Sequence, residues 1–81
     1  MFLKIRFDGA VGFGAGNIDP DVRHVWVDCM AAVSFRGIPR GEGCFMRLPC
    51  GLEYRVPYEA SHMVRWFCEE RAAHMATLRG E

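Results

Sequence analysis

The four residues Leu48-Pro49-Cys50-Gly51 constrain this chain more than any other stretch. Pro49 pre-sets the backbone angle that the second position of a type I turn needs. Gly51 stands where the chain must take a positive φ to re-enter a strand. With Leu48 opposite Leu52, the pairing runs outward in order. Met46 faces Tyr54 and Cys44 faces Val56 on one side; Arg47 faces Glu53 and Phe45 faces Arg55 on the other. The first set is apolar. The second offers an opposite-charge pair and a cation–π pair. A slip of one residue would mix the two sets, so the register is well specified. The spacing predicts a β-hairpin from Cys44 to Tyr58.

A helix follows, predicted from about Glu59 to Leu78. Pro57 ends the strand, because it cannot donate to a ladder. Ser61 is the expected N-cap and Gly80 the C-terminal stop. At helical spacing Ala60, Met63, Val64, Phe67, Met75 and Leu78 form one apolar stripe. Trp66 flanks it. Arg71 and His74 lie close to it and interrupt the pattern, either as a functional pair or as side chains that reach past the helix edge.

Upstream, residues 2–7 alternate cleanly, with Leu3, Ile5 and Phe7 opposed to Lys4 and Arg6. Residues 8–19 read as a Gly-rich connection, and Asp19-Pro20-Asp21 as the cap of a single helical turn. From His24 to Arg36 one parity holds Val25, Val27, Cys29, Ala31, Val33 and Phe35. The other holds Trp26, Asp28, Met30, Ala32, Ser34 and Arg36. This is the longest strand candidate, with Met30-Ala31-Ala32 as its bending point. Residues 37–43 are a polar loop carrying Arg40 and Glu42.

The order is then β-β-β-β-α. It predicts one α+β domain over residues 1–81: a four-stranded antiparallel sheet with the C-terminal helix on one face. The expected core is Leu3, Ile5, Phe7, Val25, Val27, Val33, Met46, Leu48, Leu52, Tyr54, Val56, Val64, Phe67 and Leu78.

Formal net charge is zero, which argues against a generally basic nucleic-acid binder and against an acidic mimic of DNA. The start of the chain shows no signal peptide, and no apolar run approaches the roughly 18 residues of a membrane span. A cytoplasmic setting with four reduced cysteines is expected. Those cysteines show no CxxC spacing, and His62 and His74 lie too far apart to share a helix-face site, so no metal is expected. No nucleophile–base arrangement or carboxylate pair stands out, so neither enzyme activity nor a cofactor is expected. Gly12-Phe13-Gly14-Ala15-Gly16 lacks the GxGxxG spacing and a following helix, which removes a phosphate cradle. A flexible loop there, bearing Phe13 and Ile18, could order on a partner.

The sheet face away from the helix is the informative surface. By parity it carries Lys4, Arg6, Trp26, Asp28, Met30, Arg36, Phe45, Arg47 and Arg55. Trp, Met and Arg are the residue types enriched in binding hot spots. Trp26, Met30, Arg36, Phe45, Arg47 and Arg55 are the candidate partner contacts. The competing reading is that the 8–20 or 37–43 loop folds over Trp26. In size and layout the chain resembles small inhibitors encoded by phages and mobile elements, anti-CRISPR proteins among them. The resemblance covers the small sheet with one helix and the lack of catalytic residues, and it carries no site residues across. It implies steric inhibition of a larger protein or ribonucleoprotein complex through a flat surface. Single-stranded RNA or DNA binding by the same face and homodimerisation are the alternatives.

Overall fold

The structure is a computed structural model and describes residues 1–12, 14–39 and 41–80. Phe13, Arg40 and Glu81 lie outside the described residues, and with Phe13 so does part of the expectation placed on the Gly-rich loop. The elements in chain order are β1 (Phe2–Arg6), β2 (Gly9–Val11), β3 (His24–Asp28), β4 (Ser34–Gly37), β5 (Cys44–Arg47), β6 (Glu53–Val56) and α1 (Ala60–Leu78). A short 3-10 turn spans Ala15–Asn17. A four-stranded antiparallel sheet has the order β2-β6-β5-β4, and β1 pairs with β3 in a separate two-stranded ribbon. The class is α+β, as the sequence predicts.

The hairpin forms in the predicted register, with Cys44 opposite Val56, Phe45 opposite Arg55, Met46 opposite Tyr54 and Arg47 opposite Glu53. Leu48 N–H donates to Leu52 O at 2.9 Å, and Gly51 adopts φ 94° in the turn. A second left-handed glycine, Gly43, opens β5 at φ 92°. A Cβ there would lie 2.1 Å from Val56 O, so only glycine fits against β6.

Two predicted strands are corrected, and both change sheets part-way. In the first, Leu3, Ile5 and Phe7 are buried, but the next inward residue is Ala10, opposite Tyr54. Asp8 and Gly9 occupy the space where alternation allows one residue, which is a β-bulge. The backbone switches partner at that point. Phe7 N–H donates to Arg23 O at 2.8 Å, and Asp8 N–H, pointing the opposite way, donates to Arg55 O at 2.8 Å. The Gly-rich connection therefore begins with a strand, β2. In the second case, residues 24–36 form two strands rather than one. Asp28 makes the break: its carboxylate accepts Met30 N–H at 2.9 Å and its carbonyl accepts Ala31 N–H at 3.0 Å. At Asp19-Pro20-Asp21 the chain makes one hydrogen-bonded turn rather than a helix: Val22 N–H donates to Asp19 O at 3.0 Å and Asp21 N–H to the Asp19 carboxylate at 2.9 Å.

These switches close the pairing on itself. Residues 2–11 pair with 24–28 through β1 and with β6 through β2. Residues 24–37 pair with β1 through β3 and with β5 through β4; β5 and β6 complete the ring. One core fills it, with Ile5, Cys29, Cys44, Met46, Val56 and Met63 fully buried. Phe7 packs edge-on to Tyr54 at 4.7 Å between ring centroids, joining ribbon and sheet.

The helix enters this core through Met63 and Phe67, and Phe67 meets Phe35 at 5.3 Å. Glu59, in extended conformation, is the N-cap, and its side chain makes no capping hydrogen bond; Ser61 sits inside the first turn. Val64 and Leu78 were expected in the core. Both are exposed: Val64 turns to the solvent side of the buried Met63–Phe67 line, and Leu78, 68 % exposed, lies well past Phe67, the last buried residue of the helix.

Candidate binding face

The single outward face expected from parity is two faces. On the ribbon, β1 and β3 pair Phe2 with Asp28, Lys4 with Trp26 and Arg6 with His24. Leu3, Ile5 and Val27 fill the inner side, so these six residues form the outer side. Trp26 is 62 % exposed and Phe2, its diagonal neighbour, 63 %. Among the described residues, no loop covers Trp26. Lys4 Nζ stands 5.9 Å from the Trp26 ring centre. Cys29 N–H donates to Met1 O at 3.0 Å, which extends the pairing to Met1 and the buried Cys29; Met1 and Met30 are both exposed. Lys4 and Arg6 are the cations here. Asp28 is the carboxylate, already engaged by Met30 N–H.

The remaining candidates lie on the outer side of the four-stranded sheet. One cross-strand row is Arg36, Phe45, Arg55 and Gly9; the next is Ser34, Arg47, Glu53 and Val11. Arg36 lies over the Phe45 ring at 5.0 Å and also reaches Glu53 at 3.4 Å. Phe45 is half-buried as a result, while Arg47 and Arg55 are exposed. Trp26 and Met30 thus belong to the ribbon, and Arg36, Phe45, Arg47 and Arg55 to the sheet.

Arg71, the interruption in the helical stripe, is held by backbone. Its Nε donates to Cys29 O at 2.5 Å and its Nη2 to Ala31 O at 2.7 Å. It satisfies two carbonyls that the break between β3 and β4 leaves outside any ladder. His74 is half-buried one turn further on. Sequence reasoning missed an open groove of about 350 Å³ along the helix, lined by Tyr58, His62, Arg65, Trp66 and Glu69. The spacing 58, 62, 66 was its visible signal. The Tyr58 and His62 rings lie 5.6 Å apart there.

Among the described residues, no three His, Cys, Asp or Glu side chains gather into a metal-binding cluster. Cys29 and Cys44 are free and buried; Cys50 and Cys68 are free and exposed. Burial pushes the Cys44 thiol upward, helped by the charge of Glu59. Burial, and then the charge of Cys50, does the same to the Tyr54 hydroxyl. No helix of the described residues is long and apolar enough to cross a membrane. No family model, curated protein or solved structure matches this chain.

Proposed function

We propose that this chain is a non-enzymatic protein-binding module that docks on a larger partner through the outer side of the β1–β3 ribbon and acts by occlusion. One observation carries the reading. Phe2 and Trp26 are diagonal neighbours, each more than 60 % exposed, on a ribbon whose other side is packed into the core. Large aromatics so placed contribute binding energy once covered, at low entropy cost. Met30 extends the patch, and Lys4 and Arg6 give it a basic rim. Partner contacts are therefore assigned first to Trp26 and Met30, with Phe2 added. A cytosolic protein or ribonucleoprotein complex, such as a bacterial defence complex, is the partner class we propose.

The second reading is single-stranded nucleic acid on the sheet face. Arg47 and Arg55 flank Phe45 there, with Glu53 as the face's carboxylate. Phe45, however, lies under Arg36 and offers no free ring for a base to stack on.

Capture from a bacterial lysate separates the two. Wild-type chain and the Phe2→Ala/Trp26→Ala variant are compared, each with and without nuclease. A protein retained by the wild type, insensitive to nuclease and lost with the double variant is the expected outcome. Capture that survives the double variant, or nuclease-sensitive capture of nucleic acid with no protein partner, would overturn the proposal.

A further inference from the structure

The ribbon has open sides as well as an open face, because its sheet contains only β1 and β3. Phe7 N–H bonds Arg23 O and Cys29 N–H bonds Met1 O, so the odd-numbered backbone groups of β1 face β3. The even-numbered groups of Phe2, Lys4 and Arg6 point the other way, as Asp8 N–H does in reaching Arg55 O. β6 cannot continue alongside them. It ends at Val56, and Pro57 has no N–H to offer. Among the described residues, no backbone hydrogen bond reaches the N–H or C=O of Phe2, Lys4 or Arg6 on that side. Three consecutive donor–acceptor sites are therefore presented in strand geometry.

The geometry points to strand addition: the free side of β1 receives an extended acidic segment of a partner protein, pairing with Phe2, Lys4 and Arg6. The charge selects this occupant. The side chains flanking the open side are Lys4 and Arg6, with His24 opposite Arg6, and the nearby carboxylate of Asp28 is occupied by Met30 N–H. A second copy fits poorly. The antiparallel register that uses all three sites sets Lys4 opposite Lys4, and like charges directly opposed are destabilising. An acidic strand has the complementary charge at those positions. Its alternate residues, apolar in such a strand, fall on the other side, in line with Leu3 and Ile5. The inference rests on the protein-docking role proposed for this ribbon, and narrows it to one mode.

The probe is a capped heptapeptide of alternating Glu and Val, titrated into the full chain and followed by amide NMR and hydrogen exchange. Slowed exchange is expected at the Lys4 and Arg6 amides. Affinity should fall at least about fivefold for a peptide N-methylated at alternate residues, since its hydrogen bonds to β1 are blocked. It should fall similarly with Lys4→Pro. That change removes one outward N–H and no bond to β3. The N-methylated peptide carries the test if the Pro variant does not fold. An alternating Lys and Val peptide should not bind. Several results would overturn strand addition: no binding of the acidic peptide at millimolar concentration, equal affinity of the N-methylated one, the same protection from an oligothymidine, or protection that rises with protein concentration alone. Loss of lysate capture in the Phe2→Ala/Trp26→Ala variant, alongside indifference to N-methylation, would retain the docking face and remove only the strand-pairing mode.

Discussion

The two outer sheet faces have similar compositions and opposite states. Each sets an aromatic ring among cations. On the four-stranded sheet, Arg36 covers Phe45 at 5.0 Å and ties to Glu53 at 3.4 Å, so the cluster is partly satisfied within the chain. On the ribbon, Trp26 and Phe2 remain more than 60 % exposed, and Lys4 stands 5.9 Å off the Trp26 ring. A count of residue types does not separate these faces. What separates them is that Phe45 lies on a strand flanked on both sides, whereas Trp26 has only β1 beside it.

Both faces rest on one core, which gives the largest expected effect. Phe67→Ala should cost about 3–5 kcal/mol and disrupt both faces together, measured by urea unfolding. Retention of near wild-type stability would mean that ribbon and sheet stand without the helix. Arg71→Met acts more locally. It leaves Cys29 O and Ala31 O without their donors, at a cost of roughly 1.5–3 kcal/mol. Amide exchange should speed up around residues 29–33 and in the ribbon before it does in the hairpin.

The faces themselves differ on a smaller scale. Phe45→Ala removes a half-buried ring and its Arg36 contact and should destabilise by about 1 kcal/mol. Trp26→Ala should stay within about 0.5 kcal/mol of wild type, because its ring has little to lose. Equal costs in thermal unfolding would erase the contrast.

The smallest effect near neutrality is a pH dependence at the alkaline end. The Cys44 thiol is held above its usual 9.0 and the Tyr54 hydroxyl above 10.0. The unfolded chain releases these protons first, so stability is full below about pH 9.0 and falls as the pH climbs above it. Thermal unfolding at stepped pH should show that decline, and Cys44→Ala should flatten its first part.

The parts of the fold that were legible in the sequence were local. The hairpin register followed from one Pro, one Gly and a clean alternation on both arms. The parity of residues 24–36 also survived, since Val25, Val27, Cys29, Ala31, Val33 and Phe35 all turn inward. What parity cannot carry is a change of partner. Asp28 looked like one more outward residue, yet its carboxylate breaks the strand. The Asp8–Gly9 bulge hid β2, because it inserts a residue exactly where alternation was the signal to follow. Likewise, helical periodicity marks a stripe but not the length of the surface beneath it. Leu78 matched the stripe but lies well past Phe67, the last buried residue of the helix, and Val64 turns to the solvent side of the Met63–Phe67 line. The candidate contacts were all legible as outward residues. Their division between two faces was not, because it depends on those same two breaks.

The most direct test of the central claim is hydroxyl-radical footprinting of the captured complex against the free chain. The account expects oxidation of Trp26, Phe2 and Met30 to drop sharply on binding, with Phe45 unchanged. Protection centred on Phe45, with Trp26 as reactive as in the free chain, would contradict it.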